Sequence, residues 1–123
     1  MRKLRRATKK DDSAIEILRN VHGSVAPRLP EVDYSVVDHN GTITTCFGLK
    51  FDGPTRALVV DFYGSDARDW EFAFDRLCEA ADKNGVELSG WCLINNKNTK
   101  YFERRGFKET MRLFRRQPVK KVK

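Results

Sequence analysis

The amino-acid sequence predicts an α/β fold with one mixed, mostly antiparallel sheet and flanking helices. Three observations lead to this prediction. The Asn40-Gly41 pair, between two runs rich in β-branched and aromatic residues, is a strong hairpin signal. Apolar residues recur with helical spacing over residues 70–84 and stop at Gly85. A shorter helical segment begins at Asn98 and ends at Gly106.

The first predicted unit is a strand that runs into a capped helix. Residues 4–11 read LRRATKKD, in which Thr8 caps the helix and Asp11 supplies the acidic half of a capping box. Apolar positions then recur along the helix at i, i+3 and i+7. The residues predicted to form its buried face are Ile15, Leu18 and His22, flanked by Ala14 and Val21.

Three antiparallel strands are predicted next, over residues 34–38, 42–51 and 56–63, with turns at residues 40–41 and 52–54. Successive side chains of a strand point to opposite faces of the sheet. In the third strand the faces are predicted to carry Leu58, Val60 and Phe62 on one side and Val59, Asp61 and Tyr63 on the other.

The second half continues with a helix, a strand, the short helix and a last strand. The buried stripe of the helix over residues 70–84 is predicted to contain Trp70, Ala73, Phe74, Leu77 and Ala81. The strand after it covers residues 86–94, with the small pair Ser89-Gly90 inside it, and the last strand covers residues 107–114.

Length and composition indicate one domain. The chain has 123 residues, which suffices for a single core, so residues 1–117 are predicted to form one domain and residues 118–123 a basic tail. No apolar run is long enough to span a membrane, and no signal peptide is visible. Cys46, Cys78 and Cys92 are an odd number among apolar or small neighbours, which indicates reduced core thiols in a cytoplasmic protein and no metal site.

Charge is concentrated at the two ends of the chain. Residues 1–10 hold six basic side chains and no acid, and residues 104–123 hold nine basic side chains and one acid. The residues between them hold nine basic and sixteen acidic side chains. Such ends attract an acidic protein surface or nucleic acid, whereas a solvated tail is an equally good explanation of the last lysines.

The segment at residues 95–107, NNKNTKYFERRGF, resembles the N-x-x-A-x-x-[LF]-Y-E-K-x-G-F signature near the end of GNAT-family acyl-CoA N-acyltransferases. Residues 4–11 are similar to the opening of the same family. The resemblance implies a sheet in which the strands at residues 56–63 and 86–94 run parallel and then splay apart. It also implies that acetyl-CoA lies in the gap. Its pyrophosphate would rest on backbone N–H groups where the helix after the strand at residues 56–63 begins.

The predicted phosphate loop departs from the family pattern R/Q-x-x-G-x-G/A. Residues 65–70 read SDARDW, with Arg68 and Trp70 at the two glycine positions. Asp66 and Asp69 place carboxylates where the pyrophosphate would lie, and they are better explained as a helix cap and a first-turn acid. No cofactor is therefore expected, and acetyl-CoA is expected only if the protein is an enzyme.

The closing signature departs from the family as well. Phe102 stands where many members have the tyrosine that protonates the departing CoA thiolate, and Tyr101 occupies the neighbouring position, about 100° away on a helix. Asn98 replaces the small alanine. Asn95 alone carries over as a possible CoA contact, and its alternative role is to form a turn.

Candidates for a general base are Asp61, Glu87 and His39. Asp61 is the best placed of the three because apolar residues flank it and disfavour its charged form, although an ordinary strand-end hydrogen bond explains such an acid better than catalysis does. If the protein is active, Asp61 and Tyr101 are the predicted catalytic residues.

The sheet edge from Lys108 to Phe114 is predicted to be open, because Pro118 follows where the family places one more strand. Such an edge favours a protein partner or self-association. The leading hypothesis is thus a non-catalytic binding or assembly module with a degenerate acetyl-CoA site, of the kind familiar from bacteriophage genomes and virions. The alternatives are a divergent N-acetyltransferase that acts on an amine and, on charge alone, a nucleic-acid-binding protein.

Overall fold

A computed structural model describes residues 1–24, 27–90 and 99–108, together with Pro118. It contains two compact units, Met1–Trp91 and Cys92–Lys123. Within the described ranges, no helix is long and apolar enough to cross a membrane. The division into a domain at residues 1–117 and a tail at residues 118–123 stays a prediction.

The first unit is a five-stranded sheet with helices on its faces. The strands are β1 (Arg2–Arg6), β2 (Asp33–His39), β3 (Thr42–Phe51), β4 (Arg56–Gly64) and β5 (Glu87–Gly90), and the helices are α1 (Asp12–Val21) and α2 (Ala67–Asn84). The strands lie in sequence order, β1-β2-β3-β4-β5, and every neighbouring pair is antiparallel except the last. The predicted fold class is therefore confirmed.

β4 and β5 pair in parallel over a short stretch, from Arg56 with Glu87 to Val59 with Gly90. Beyond Val59, β4 continues to Gly64 without a β5 partner in the described part of the chain. The predicted parallel arrangement is confirmed, whereas the predicted gap involves residues 91–94, which lie outside the described residues.

The first strand leads into α1 through a single 3₁₀ turn, Lys9–Asp11. The Thr8 backbone N–H donates to the Asp11 carboxylate at 2.7 Å, as the predicted capping box requires. The Arg5 guanidinium also donates to this carboxylate, at 2.8 Å, and it lowers the pKa of Asp11 to about 2. The end of β1 and the start of α1 are thus held together by one carboxylate.

The buried face of α1 agrees with the prediction in its first half only. Ile15 and Leu18 are buried, but His22 is exposed, and its ring stacks on Tyr63 at 5.0 Å. The prediction for His22 is therefore wrong. Arg19 is buried instead, because it meets a carboxylate of β4.

The hairpin between β2 and β3 has the predicted turn. Asn40 and Gly41 both have positive φ angles, 55° and 91°, which a two-residue hairpin turn of type I′ requires. The Asp38 carboxylate accepts from the Gly41 N–H at 2.7 Å and fixes the turn.

β4 does not alternate as predicted, because it contains a bulge at Asp61, whose φ angle is 55°. Cys46 pairs with Tyr63 and Gly48 with Val60, so two β4 residues stand opposite one residue of β3. After the bulge the faces exchange. Val59 and Phe62 pack in the cluster under α2, and Val60 and Tyr63 pack in the cluster under α1.

The helix α2 begins at Ala67, three residues before the predicted start, because Asp66 caps it. It ends at Gly85, as predicted, and the φ angle of 66° at this glycine is the left-handed conformation that commonly ends a helix. Four residues of the predicted stripe are buried, namely Ala73, Phe74, Leu77 and Ala81, whereas Trp70 is half-buried.

The second unit contains one described helix, α3 (Thr99–Arg104). Gly106 ends it with a φ angle of 86°, and the Phe107 N–H donates to the Phe102 carbonyl at 3.0 Å. The two phenylalanine rings lie 5.9 Å apart, so the chain turns back toward the helix after the glycine. The predictions for Asn98, for residues 91–94 and for residues 109–117 lie outside the described residues.

Candidate functional site

The first part of the candidate site is the start of α2, where the resemblance places a pyrophosphate. Asp66 is the N-cap of this helix, and its Oδ1 accepts from the backbone N–H groups of Arg68 at 2.8 Å and Asp69 at 3.1 Å. These are two of the N–H groups that a helix leaves unpaired at its first turn and that bind anions elsewhere. Here a carboxylate of the chain itself occupies them.

Asp69 points into the protein and has three partners. Its side chain is fully buried, with Arg2 Nε 2.8 Å from Oδ1 and His39 Nδ1 3.0 Å from Oδ2. The Thr44 hydroxyl donates to Oδ2 at 2.6 Å. Burial by itself would raise the pKa of Asp69, but the hydrogen bonds from Thr44 and His39 and the charge of Arg2 hold that pKa below its ordinary value. Asp69 thus ties α2 to β1, β2 and β3.

Trp70 covers the backbone of β4 after its last pairing with β5. The indole N–H donates to the Phe62 carbonyl at 3.3 Å. The indole ring also packs at 5.0 Å from the Phe62 ring and 5.3 Å from the Phe74 ring. A large side chain therefore stands where the family pattern has its second glycine.

The second part of the candidate site is the carboxylate of Asp61 in the β4 bulge. Arg19 Nε lies 2.9 Å from its Oδ2, and the Tyr34 hydroxyl donates to the same oxygen. Only 4% of the Arg19 side chain and 10% of the Asp61 side chain are exposed. Asp61 is thus one half of a buried ion pair.

The neighbours of Asp61 titrate outside the physiological range. Burial and the hydrogen bond to Asp61 raise the pKa of the Tyr34 hydroxyl. Burial would lower the pKa of Arg19, but the hydrogen bond and the charge of Asp61 outweigh it and raise that pKa. Arg19 therefore stays charged beside Asp61, and Tyr34 stays protonated.

A half-exposed outer layer of charges surrounds this pair. Glu16 lies 3.3 Å from the Arg19 guanidinium and 2.9 Å from Arg28. Arg28 also reaches Asp12 at 2.8 Å and covers the Tyr34 ring at 5.2 Å. Each cation of the network has at least one carboxylate beside it.

The other two candidate bases, His39 and Glu87, contact residues other than Asp61. His39 is bound to Asp69, and Glu87 is 68% exposed and lies 3.4 Å from Arg56 at the sheet surface. Tyr101 belongs to the second unit, where it is exposed and the Arg104 guanidinium lies over its ring at 5.6 Å. Asn95 lies outside the described residues. Among the residues described in the first unit, the structure therefore shows no contact between any two of the three candidate bases.

Of the two described cysteines, Cys46 agrees with the predicted core role, and Cys78 agrees with it only in part. Cys46 is fully buried, and burial raises the pKa of its thiol to about 12. Cys78 is half-buried, and Cys92 lies outside the described residues. No group of His, Cys, Asp and Glu able to hold a metal ion occurs within residues 1–24, 27–90 and 99–108.

Arg19 and Tyr34 are residues of the site that the sequence did not predict. The sequence contains one signal for Arg19, which follows Leu18 and stands four residues after Ile15, on the apolar side of α1. A basic residue on a buried face needs a carboxylate partner, and Asp61, which apolar residues flank, is the candidate. Neither the bulge nor the contact of Trp70 with Phe62 leaves a comparable signal.

Comparison with known proteins gives no match by sequence and clear matches by structure. Neither a family model nor a curated protein sequence matches this chain. An acetyltransferase of Trypanosoma brucei has a TM-score of 0.69 at 17% identity, over 96% of this chain and 100% of that one. An aminoglycoside N-acetyltransferase solved with CoA has a TM-score of 0.72 at 10% identity, over 96% and 95% of the two chains.

The chain has the fold of the GNAT acetyltransferases. A transcriptional regulator from Bacillus halodurans is also similar, with a TM-score of 0.68 at 14% identity, over 95% of this chain and 99% of that one. Proteins with different names therefore share this GNAT fold, and at these identities the likeness shows the fold alone. The predicted bacteriophage source finds no support in these comparisons.

Proposed function

We propose that this GNAT-fold protein is a binding module that does not use acetyl-CoA. The observation that carries the proposal is the Asp66 carboxylate on the backbone N–H groups of Arg68 and Asp69. A pyrophosphate would need those two donors, and it would also meet the negative charge of Asp66. At an effective dielectric constant near 20, two like charges ~4 Å apart repel by roughly 4 kcal/mol.

Trp70 supports the proposal independently of the charges. Its indole N–H is bound to the Phe62 carbonyl on the stretch of β4 that has no β5 partner among the described residues. In a GNAT acetyltransferase this stretch borders the gap for acetyl-CoA, as the resemblance implies. A ligand there would have to displace the indole from Phe62 and from its packing on Phe74. The described residues at the start of α2 and on β4 thus do not fit the cofactor.

The contacts of Asp61 favour a structural role for this residue over that of a general base. A general base must accept a proton from the substrate, so its lone pairs must be accessible. The Asp61 carboxylate is 10% exposed, and Arg19 and Tyr34 both bind its Oδ2. Its contacts are those of a buried ion pair that joins α1 to β4.

The alternative function is that of a divergent N-acetyltransferase, with acetyl-CoA as cofactor and an amine as acceptor. The observation in its favour is that the similar aminoglycoside N-acetyltransferase was solved with CoA. This function would require Asp66 and Trp70 to turn away from the start of α2, and would leave Asp61 and Tyr101 as its catalytic candidates.

Thermal unfolding of the full chain with acetyl-CoA and with CoA tests the proposal. We expect no shift in Tm with either compound. A ligand at 100 times its Kd stabilises a protein by about 2.7 kcal/mol, which raises the Tm of a domain of this size by roughly 10 °C. A GNAT acetyltransferase that binds CoA serves as the positive control. A saturable rise of several degrees in this chain would contradict the proposal and favour the enzyme.

A further inference from the structure

The β1 strand is an edge of the five-stranded sheet in the part of the chain that the structure describes. It pairs with β2 alone, over the five residues Arg2–Arg6. Its backbone therefore has one side that faces β2 and one side that faces outward. An outward side of this kind is a template for an added strand.

The hydrogen bonds at both ends of β1 show which backbone groups face outward. The Ala7 N–H donates to the Tyr34 carbonyl at 3.0 Å, and the Met1 carbonyl accepts from the Asn40 N–H at 3.3 Å. Odd-numbered residues thus face the side of β2, and the N–H and carbonyl groups of Arg2, Leu4 and Arg6 face outward. The Arg6 carbonyl accepts from the Arg5 side chain at 3.2 Å, whereas no described side chain donates to the carbonyl of Arg2 or Leu4.

The charges around this edge fall into two sets. In the first set, Arg2 forms an ion pair with Asp69, and Arg5 forms ion pairs with Asp11 and Asp38. The second set is Lys3, Arg6, Lys9 and Lys10, all of them exposed. Arg6 has a loose contact with Asp33 at 3.7 Å, and the described residues contain no salt-bridge partner for the three lysines. We call this second set, with the outward backbone of β1, the β1 edge.

We infer that the β1 edge binds an extended acidic segment of a partner protein as an additional strand. Backbone hydrogen bonds to Arg2, Leu4 and Arg6 would hold the segment, and its carboxylates would meet Lys3, Arg6, Lys9 and Lys10. Opposite Leu4, which packs on the cluster under α2, the segment would carry an apolar residue. The inference deepens the proposed binding role, because it names the class of partner.

Two other occupants fit the β1 edge less well. A second copy of β1 would place basic side chains opposite basic ones, which destabilises a strand pair. Nucleic acid would use the charges but not the outward N–H and carbonyl pattern, and residues 2–10 contain no aromatic side chain on which a base could stack.

A designed peptide tests the inference. The probe is the capped peptide TEEVEET, and the readouts are fluorescence anisotropy and amide hydrogen exchange of the full chain. We expect saturable binding, together with slower exchange of the Leu4 and Arg6 amides. Two control peptides carry backbone N-methyl groups at alternate residues, one set at the odd and one at the even positions. One of them should lose binding and the other keep it, because only one set faces β1.

Charge reversal on the protein provides a second test. The triple variant Lys3→Glu, Lys9→Glu, Lys10→Glu should weaken binding of the peptide by roughly ten-fold or more. Lys83→Glu is the matched control, because Lys83 is exposed near the end of α2 and away from β1. Circular dichroism should show all these variants folded.

Three results would overturn the inference. They are equal binding of both N-methylated peptides, unchanged exchange at Leu4 and Arg6, or tighter binding of a single-stranded oligonucleotide than of the peptide at matched charge. A positive result with acetyl-CoA would refute the proposed function and leave this test unaffected. The two failures are thus distinguishable.

Discussion

Replacing Asp61 by asparagine is expected to lower the free energy of unfolding by about 3–5 kcal/mol. The substitution leaves the Arg19 guanidinium, 4% exposed, without the carboxylate that neutralises it. Asparagine tolerates the positive φ angle of residue 61 and can still accept from the Tyr34 hydroxyl, so the change isolates the charge. Urea denaturation of the variant at neutral pH measures the loss.

Glu16→Gln is the matched control for this loss. Glu16 also lies beside Arg19, but its side chain is 45% exposed, and a pair of that kind contributes about 0–1 kcal/mol. Adding Arg19→Met to Asp61→Asn should recover part of the stability, because the buried cation that has lost its Asp61 partner is then gone. A loss at Asp61→Asn no larger than at Glu16→Gln would show that the buried pair is not what holds α1 to β4.

Replacing Asp69 by asparagine is the second large change, with an expected loss of about 2–4 kcal/mol. The fully buried carboxylate faces Arg2, His39 and Thr44, and the variant leaves Arg2 and His39 with a neutral partner. Arg2 remains 35% exposed, which allows water to compensate part of its charge and makes this loss smaller than that at Asp61.

The free energy of unfolding that Asp69 contributes should depend on pH, because the pKa of its carboxyl is lower in the folded than in the unfolded protein. The pKa of Asp69 lies lower in the folded protein than its ordinary value of 3.8, and that of Asp11 is about 2. The stability that each carboxylate contributes is therefore present above its unfolded pKa and is lost as the pH falls through the folded pKa. Wild-type unfolding free energy should fall on acidification below about pH 4.

Asp69→Asn should flatten this acid loss, whereas Asp82→Asn, at an exposed residue of α2, should leave it unchanged. Urea denaturation at a series of pH values between neutral and acid measures both variants. An acid loss in Asp69→Asn as steep as in the wild type would contradict the role assigned to the buried carboxylate.

The parts of the fold that the sequence predicts correctly are those with local causes. Asn40, Gly41, Gly85 and Gly106 adopt the positive φ angles that their turns and helix ends require, and each was predicted from its own short context. The core stripe of α2 follows in the same way from spacing along a single helix. Such features depend on neighbours within a few residues.

The parts that it does not predict depend on contacts between distant residues. Arg19 is buried on α1 because Asp61, 42 residues later, meets it. The bulge that turns Asp61 toward Arg19 also exchanges the faces of β4, and regular alternation cannot anticipate it. At the candidate site, the sequence predicts that Asp66 caps α2, whereas the packing of Trp70 on Phe62 becomes visible only in three dimensions.

The most direct test of the central claim is a site-resolved titration of the start of α2 with CoA. In ¹H–¹⁵N NMR spectra of the full chain, the amide signals of Arg68 and Asp69 report the two N–H groups that Asp66 occupies. We predict that CoA at millimolar concentration leaves both signals, and the indole signal of Trp70, at their positions. Saturable shifts of the Arg68 and Asp69 amides on addition of CoA would contradict the account, because a pyrophosphate would then have displaced the Asp66 carboxylate.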